Sequence, residues 1–357
     1  MTNGKILKNA SNNNSSSKIL YDQYLGLDWA EKTMAIARLT NSMSHPRVFE
    51  SRTSLYELKE YLKTLKGTSI LVIEETTTSH WLYVELKDFV TKIFICDPYR
   101  NHLLSEGAKT DKIDARKLVV LLRAGLLKEV FHNDDESFRI RKLVSGYNDL
   151  VNAGVRALNQ KSALYRAEGL KYKKDKLTVN DKVLNFVDNH YNKEINLYKE
   201  QKKEYEKIFN EISRSIPAIK RLEDIGGIGT INAVKIFSTV IDARRFENKY
   251  KYWSYCGLVY NQKESGGRNY GRKKPRYSRQ LKAVYRNATL AAIGGNNDIR
   301  HYYEYLLSEG LSDSKAKNAV ARYIAKVSYA MMKHNTRYRA FQWRESKDTI
   351  KEVKEII

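Results

Sequence analysis

The sequence predicts a chain of two parts, an α/β domain built on a mixed sheet followed by a mainly helical region. Three observations support this fold class. Short apolar runs alternate with helical patterns between about residues 22 and 127, apolar residues recur three and four apart from residue 138 onward, and the last third carries further helical patterns. At 357 residues the chain is long enough for two domains, each with its own core.

The strands and helices of the first part can be assigned in order. YLGLDWA (24–30) and TMAIARLT (33–40) are separated by a tight polar break and predict a β-hairpin. SILVIE (69–74) and KIFIC (92–96) are short, apolar and β-branched, which is typical of buried strands. Helical spacing occupies the stretches between and after them: LYELKEYLKTL (55–65), Trp81 to Val90, and DKIDARKLVVLLRAGLL (111–127).

The rest of the chain has a helical pattern. Apolar residues spaced three and four apart predict a long helix over about 138–170, and a second covers about 193–216. We interpret these two as an antiparallel coiled-coil pair joined by a polar connection near 171–190, although ordinary helices of a core would give the same pattern. A glycine cluster at 225–229 and helices around 279–293 and 314–333 predict a helical final domain.

These patterns divide the chain into five expected regions. They are a disordered leader (1–21), an α/β catalytic domain (22–135), a helical assembly segment (136–218), a C-terminal helical domain (219–340) and a short tail (341–357).

The charge of the chain indicates a polyanionic partner. Lys and Arg total 64 against 41 Asp and Glu, a formal charge of +23, and such an excess attracts phosphates and releases counterions on binding. The alternative is the composition of a Lys-rich, AT-biased genome. With no apolar run long enough to cross a bilayer, no signal peptide, and Cys96 and Cys256 far apart in apolar settings, we expect a cytoplasmic, nucleoid-associated protein without membrane partners.

Carboxylates stand where apolar residues would be expected. Asp28 lies inside the first apolar strand, and a buried Asp costs several kcal/mol, on the order of 3 to 5, unless it is paired or binds a cation. Glu74 and Glu75 end the buried strand at 69–74 in the same way. A solvent-facing strand end is the alternative for Glu74.

Two further carboxylates begin the helix at 111. Asp111 and Asp114 are three residues apart and therefore share one face of the helix. Together with Asp28 and a strand-end Glu they could bind one or two Mg²⁺ ions, with Mn²⁺ as an alternative, and serve phosphodiester chemistry. The alternative for Asp111 is a helix N-cap, and for Asp114 a first-turn acid favoured by the helix dipole.

An Asp in the first strand, a Glu after a later strand and DxxD on a helix together form the arrangement of RNase H-like nucleases of the RuvC type. The chain also resembles the DEDD transposases of the bacterial insertion-sequence family "one-ten", which are Piv-like, RNA-guided recombinases. The matching segments are GLDWAEKT (26–33), EETTTSHW (74–81), KTDKIDARKL (109–118), IGGIGTINA (225–233), RFENKYKYWSYCGL (245–258) and ESGGRNYGR (264–272).

The resemblance favours Glu75 over Glu74, because Trp81 follows Glu75 by six residues as in the family motif close to E-A-T-G-x-Y-W. The chain departs from the family at Thr77-Thr78, at Gly226-Gly227, and in the basic KKPRYSRQLK (273–282), which replaces a Lys-x-Gly-Asn-like stretch. The resemblance implies that Asp28, Glu75, Asp111 and Asp114 form a metal-binding DEDD site.

It further implies that Ser265 is a nucleophile that attacks a DNA phosphodiester and forms a covalent intermediate. From the residues alone, Ser265 stands in a glycine-flanked loop that a phosphate could approach closely, and a Ser-Gly-Gly surface turn is the alternative. Basic residues surround it that could hold nucleic acid: Arg268, Arg272, Lys273, Lys274 and Arg276.

Other features fit nucleic-acid binding less specifically. Gly227 and Gly229, set before a helix, resemble a helix–hairpin–helix turn that presents backbone N–H groups to a phosphate, and close helix packing is the alternative. The chain has 25 Tyr residues, many next to basic residues, whose rings could stack on unpaired bases or fill half-buried positions.

The expected function is that of an insertion-sequence transposase, a site-specific recombinase that exchanges DNA strands. The resemblance implies donor and target DNA, a non-coding guide (bridge) RNA and a dimer or tetramer as partners. Two alternatives remain: a RuvC-like hydrolytic endonuclease or Holliday junction resolvase that uses water as nucleophile, and a non-catalytic RNA-binding assembly protein.

Overall fold

The computed structural model describes residues 21–99, 110–132, 137–172, 174–175 and 181–340. The predicted leader, apart from Tyr21, and the predicted tail at 341–357 lie outside these residues. The chain divides into two compact units, residues 1–134 and 135–357.

The first unit is a five-stranded mixed sheet with helices on both faces. Its strand order is β3-β2-β1-β4-β5, in which β1 pairs antiparallel with β2 and parallel with β4. β2 pairs antiparallel with β3, and β4 pairs parallel with β5. The elements are β1 (Gln23–Trp29), β2 (Thr33–Thr40), β3 (Arg47–Arg52), α1 (Leu55–Lys63), β4 (Ser69–Glu74), α2 (Ser79–Leu86), β5 (Lys92–Cys96) and α3 (Asp111–Ala124).

Successive side chains of the central strands point to opposite faces of the sheet, so each face has its own buried core. Leu25, Leu27 and Ile73 point to the side of α1 and α2, where they join Leu58 and Leu82. The other face of the sheet packs against α3 through a second set of buried residues, which includes Tyr24, Ile70, Val72, Ala115, Leu118 and Val119.

Helix α3 crosses very close to β1. A Cβ added at Gly26 would lie 2.6 Å from the carbonyl oxygen of Ala115 and 3.0 Å from the nitrogen of Val119. Only glycine permits this approach. As a result the first turn of α3 stands near the carboxyl end of β1, which is where Asp28 lies.

The second unit is mainly helical. The elements are α4 (Ser137–Ala167), α5 (Lys182–Ser215), α6 (Pro217–Leu222), α7 (Thr230–Val240), α8 (Lys249–Tyr255), β6 (Asn261–Ser265), β7 (Arg268–Lys273), α9 (Arg279–Gly294), α10 (Asp298–Ser308) and α11 (Asp313–His334). The fold class, an α/β unit on a mixed sheet followed by a helical part, is therefore confirmed.

The long helices α4 and α5 run antiparallel. Tyr147 meets Phe209 with ring centroids 5.1 Å apart, while towards the other end of the pair Lys161 Nζ lies 2.9 Å from Asp188 Oδ1. Residues of both helices, including Ile140, belong to the same buried core as α7, α9 and α11. The pair is thus anchored in the second unit, and a coiled coil remains a prediction.

The structure differs from the sequence-based assignment in several places, among them the following three. Strand β3 has no counterpart in that assignment, since RVFESR is polar and largely exposed. Helix α5 begins at Lys182 instead of 193, because Asp181 caps it by accepting hydrogen bonds from the N–H groups of Val183 and Leu184. The exposed hairpin of β6 and β7 replaces the expected loop around Ser265.

Both cysteines are free and fully buried, as predicted from their apolar settings. Among the described residues, none of the helices combines the length and apolar character needed to span a bilayer.

Candidate active site

Two carboxylates stand at the ends of neighbouring parallel strands and on the α3 face of the sheet. Asp28 is the next-to-last residue of β1, two positions after Gly26, and pairs with Ala35 of β2. Glu74 is the last residue of β4 and follows Val72, which packs on the α3 side. Side chains two positions apart share a face, so Asp28 and Glu74 both face α3.

The first turn of α3 supplies the other two carboxylates. Thr110, not Asp111, is the N-cap, since its hydroxyl accepts a hydrogen bond from the N–H of Ile113. Asp111 instead accepts a hydrogen bond from Thr33 Oγ1 at 2.9 Å, which ties the helix start to β2. The N-cap role offered as an alternative for Asp111 is therefore wrong.

The charges of these carboxylates act on one another. The pKa of Asp28 is raised from 3.8 to about 6, first by partial burial and then by the negative charges of Asp111, Asp114 and Glu74. Such mutual repulsion is relieved by a proton or by a cation. The cluster therefore has the electrostatics of a cation site.

Asp114 adds a second observation that fits a cation site. Its Oδ1 is shielded from solvent and accepts no hydrogen bond within the described residues, while Lys117 Nζ is 4.0 Å away. A shielded carboxylate oxygen without a donor suits a metal ion, and the donor set is all oxygen, which hard divalent ions prefer. In the described part of the chain, however, no three acidic, His or Cys side chains already stand in a metal-ligating group. Side-chain rotations would be needed to bring the oxygens onto one ion.

Burial and charge make Glu74 an alternative to the preferred Glu75 for the fourth carboxylate. Glu74 is half-buried and its charge acts on Asp28, whereas Glu75 is exposed and follows the end of β4. Motif spacing counted back from Trp81 selects Glu75. The alternation Ile70, Val72, Glu74 is the sequence signal that would have selected Glu74.

Ser265 lies in the second unit, at the end of β6. It is exposed and pairs with Arg268 across a two-residue turn formed by Gly266 and Gly267, whose φ angles are +57° and +74°. Positive φ at both central positions is the type I′ geometry that favours glycine, so the turn itself explains the glycine pair. Within the described residues Ser265 Oγ makes no hydrogen bond, to a base or to any other group.

The basic residues predicted around Ser265 surround the same hairpin. Arg268, Arg272 and Lys273 are exposed along β7, and Lys274 and Arg276 follow it. The hairpin has no buried residue in either strand, so cations and polar groups cover both of its faces.

The glycine cluster combines packing with an exposed helix start. A Cβ at Gly227, where φ is +86°, would lie 2.1 Å from the carbonyl oxygen of Ala288, so this glycine is required for contact with α9. Gly229 is exposed at the N-terminus of α7 with open space around it. Close packing thus accounts for Gly227, and Gly229 remains a candidate for a phosphate contact.

The chain is similar to known proteins in both units. Residues 25–166 match the sequence model of a DEDD transposase of the IS110 type, and residues 219–304 match that of the transposase IS116/IS110/IS902 family. Over 140 residues it is 29% identical to an insertion element IS110 uncharacterized 43.6 kDa protein of Streptomyces coelicolor, which covers 39% of this chain. The matched part spans only 35% of the length of that relative.

Proposed function

The chain belongs to the IS116/IS110/IS902 family of transposases, and on that premise we propose that it is a DNA recombinase of an insertion sequence. The observation that supports this most is the group of carboxylates whose charges converge on Asp28, near the carboxyl end of the central strand of a mixed sheet. A strongly basic chain carrying such a group suits an enzyme that acts on phosphodiesters. The sheet, with α3 across it, supports an RNase H-like, RuvC-type fold for the first unit.

Asp28, Glu74, Asp111 and Asp114 would hold a divalent ion, Mg²⁺ or Mn²⁺. The chemistry that a bound ion supplies at such a site is neutralisation of the scissile phosphate and of the charge that develops on the leaving oxygen. Thr33 holds Asp111 in place by its hydrogen bond, and Gly26 lets α3 approach β1 closely enough to bring the carboxylates together.

In this proposal Ser265 is the nucleophile. Its Oγ attacks the phosphorus of a DNA phosphodiester, a new Ser–phosphate bond forms and the bond to the leaving oxygen breaks. The serine proton passes to a base and the leaving oxygen takes up a proton. In the second step the hydroxyl oxygen freed from one strand attacks the Ser–phosphate of another, the Ser–phosphate bond breaks, and Ser265 Oγ recovers its proton as the attacking hydroxyl gives one up, which completes exchange. Since Ser265 Oγ forms no hydrogen bond to a base within the described residues, the proposal requires a base that comes into reach when DNA is bound.

The partners follow from the same proposal. Donor and target DNA would bind the cations near the hairpin, Arg268, Lys273 and Arg276 among them, and a non-coding guide RNA would direct the choice of DNA. The long helices α4 and α5 would serve assembly into a dimer or tetramer, so that carboxylates of one subunit could serve the serine of another. We expect the protein to act in the cytoplasm at the nucleoid.

A RuvC-like hydrolytic endonuclease, which would include a Holliday junction resolvase, is the second candidate. The observation that favours it is the exposed Ser265 hydroxyl without a base, because water could then be the nucleophile at the carboxylates. A non-catalytic RNA-binding assembly protein would need neither the carboxylates nor the serine.

One experiment separates these functions. Purified protein with its co-expressed flanking RNA is incubated with Mg²⁺ and labelled DNA from both ends of the element, and products are resolved under denaturing conditions. The recombinase proposal predicts a covalent protein–DNA adduct that Ser265→Ala abolishes and that Ser308→Ala, a change at another exposed serine of the same unit, leaves intact. Cleavage without an adduct, unchanged in Ser265→Ala, would support the hydrolase and refute the serine role.

A further inference from the structure

A basic cavity lies beneath the hairpin in the second unit. Its volume is about 530 Å³, and it is enclosed by the segment that follows α8, the hairpin strands, α9 and α11. Every charged residue that lines it is basic: Arg272 of β7, Lys282 and Arg286 of α9, and Lys315 and Arg322 of α11.

These cations are uncompensated. Within the described part of the chain, none of the five forms an ion pair, although exposed lysines elsewhere on α11 do so, as Lys317 does with Asp313 at 2.8 Å. Arg322 is the most deeply placed, and burial lowers its guanidinium pKa. Its Nε is shielded from solvent and donates no hydrogen bond. A shielded guanidinium donor without an acceptor is costly, and an anion would satisfy it.

On each of the two helices, α9 and α11, the cations that line the cavity lie on one face. Lys282 and Arg286 are four residues apart on α9, and Lys315 and Arg322 are seven apart on α11, so each pair projects from one side of its helix. Two helices thus present their basic faces to one space. This arrangement differs from a uniformly basic surface, in which the cations would be spread around the helices.

The size of the cavity and the residues at its rim indicate which class of ligand fits. A space of about 530 Å³ is within the range that holds a small organic ligand, and it cannot admit a duplex that is roughly 20 Å wide. Tyr260 lines the cavity and is 54% exposed, and Lys274 Nζ lies 5.9 Å from its ring centroid. An exposed aromatic ring beside cations is a stacking surface for an unpaired base.

We propose that this cavity binds one nucleotide of an unpaired nucleic-acid strand, with its phosphate among Lys282, Arg286, Lys315 and Arg322 and its base on Tyr260. The choice of a nucleic acid as the source of the phosphate rests on the proposed function. The assignment goes beyond the hairpin cations, because four of the five basic residues and Tyr260 lie outside the set predicted around Ser265.

The test is equilibrium binding of the full-length protein to short labelled strands. Fluorescence anisotropy is recorded across a KCl series in EDTA, with a 12-nucleotide single-stranded DNA, the RNA of the same sequence and a DNA duplex as probes. Two variants alter different walls of the cavity, Lys282→Ala/Arg286→Ala and Arg272→Ala/Lys315→Ala. The control Lys203→Ala/Lys207→Ala removes the same charge from exposed positions of α5.

We expect each cavity variant to weaken binding of a single strand about 10-fold. The slope of the logarithm of the binding constant against the logarithm of the KCl concentration should become shallower by about 0.7 for each phosphate that the variant no longer neutralises. The control should change affinity by less than about 2-fold. Tyr260→Ala should weaken binding about 5-fold, whereas Tyr260→Phe should retain it. A weakening seen with only one of the two single strands identifies that strand, DNA or RNA, as the ligand.

The proposal is overturned if both cavity variants behave like the control, or if only duplex binding falls. Circular-dichroism melting of each variant separates a defect in binding from a defect in folding, and a folded variant with wild-type affinity counts against the cavity. Because EDTA removes metal-dependent cleavage, the result is independent of the adduct experiment. Either proposal can therefore fail while the other stands.

Discussion

The two units present opposite electrostatic problems. In the first, partial burial and, after it, the crowding of acidic groups raise the pKa of Asp28 to about 6. In the second, cations gather around a cavity without a counter-ion among the described residues, and the buried Arg322 has a lowered pKa. Each cluster is unfavourable by itself, since like charges repel and burial penalises the charged form.

The two clusters favour partners of opposite charge. A divalent ion would relieve the carboxylates, and a phosphodiester would relieve the cations. Variants that remove one cluster and spare the other should therefore affect metal-dependent cleavage and nucleic-acid binding separately.

The largest effect is expected from removing the central carboxylate. Asp28→Asn should lower metal-dependent DNA cleavage by about 10³-fold or more, because a metal ion supplies several kcal/mol of charge stabilisation to phosphodiester chemistry. DNA affinity in EDTA should stay within about 2-fold, since the basic unit is untouched. Glu60→Gln, at a surface ion pair with Lys63, is the matched control. Cleavage that survives Asp28→Asn would remove the acidic cluster from the chemistry.

The next largest effect distinguishes the two adjacent glutamates. Glu74→Gln should reduce the cleavage rate about 10²-fold, and Glu75→Gln should reduce it less than about 5-fold, because only Glu74 shares the face of Asp28 and α3. Single-turnover rates at saturating Mg²⁺ measure the difference. The opposite order would restore the assignment made from motif spacing.

Glu74 and Glu75 mark the limit of what the sequence predicts in the first unit. The hairpin of β1 and β2, the buried strands β4 and β5, and helix α3 are predictable because apolar periodicity is strong there. The position of Asp28 within a strand predicts its unusual environment. The choice between Glu74 and Glu75 depends on which face of β4 meets α3, and that packing is long-range.

The remaining differences have the same physical origin. Strands β3, β6 and β7 carry almost no buried residue, so no apolar alternation marks them. The cavity is invisible in the sequence because its cations come from α9, α11 and β7, and each looks like an ordinary solvated charge within its own segment. The sequence shows that Lys282 and Arg286 are four residues apart on one helix, but it does not show that α11 packs beside them.

A smaller effect is expected on stability from the glycine that brings α3 close to β1. Gly26→Ala should destabilise the protein by about 1 to 3 kcal/mol, because its Cβ would overlap the Ala115 carbonyl and force the helix outward. Denaturant unfolding followed by circular dichroism measures this change. Gly294→Ala, in a helical position with open space, should be neutral or slightly stabilising. Equal effects of the two substitutions would contradict the close approach.

The smallest effect concerns the metal-free protein and pH. Because the folded-state pKa of Asp28 is raised to about 6, its contribution to stability is present below about pH 4 and is lost as pH rises through 6. Asp28→Asn should therefore stabilise the protein in EDTA at pH 8 by on the order of 1 kcal/mol, discounted for solvent screening, and should change little at pH 4. Thermal melts across this range measure the difference. A variant less stable than wild type at pH 8 would contradict charge repulsion at Asp28.

The most direct test of the central claim, that the first unit holds a divalent ion on its strand-end and helix-start carboxylates, is a Mn²⁺ titration followed by electron paramagnetic resonance. The full-length protein should bind Mn²⁺ with a saturable signal that Mg²⁺ displaces. Asp28→Asn, Glu74→Gln and Asp114→Asn should each weaken binding about 10-fold or more, and Glu75→Gln should match wild type. Binding that is absent at millimolar Mn²⁺, or that survives in all three carboxylate variants, would contradict the account.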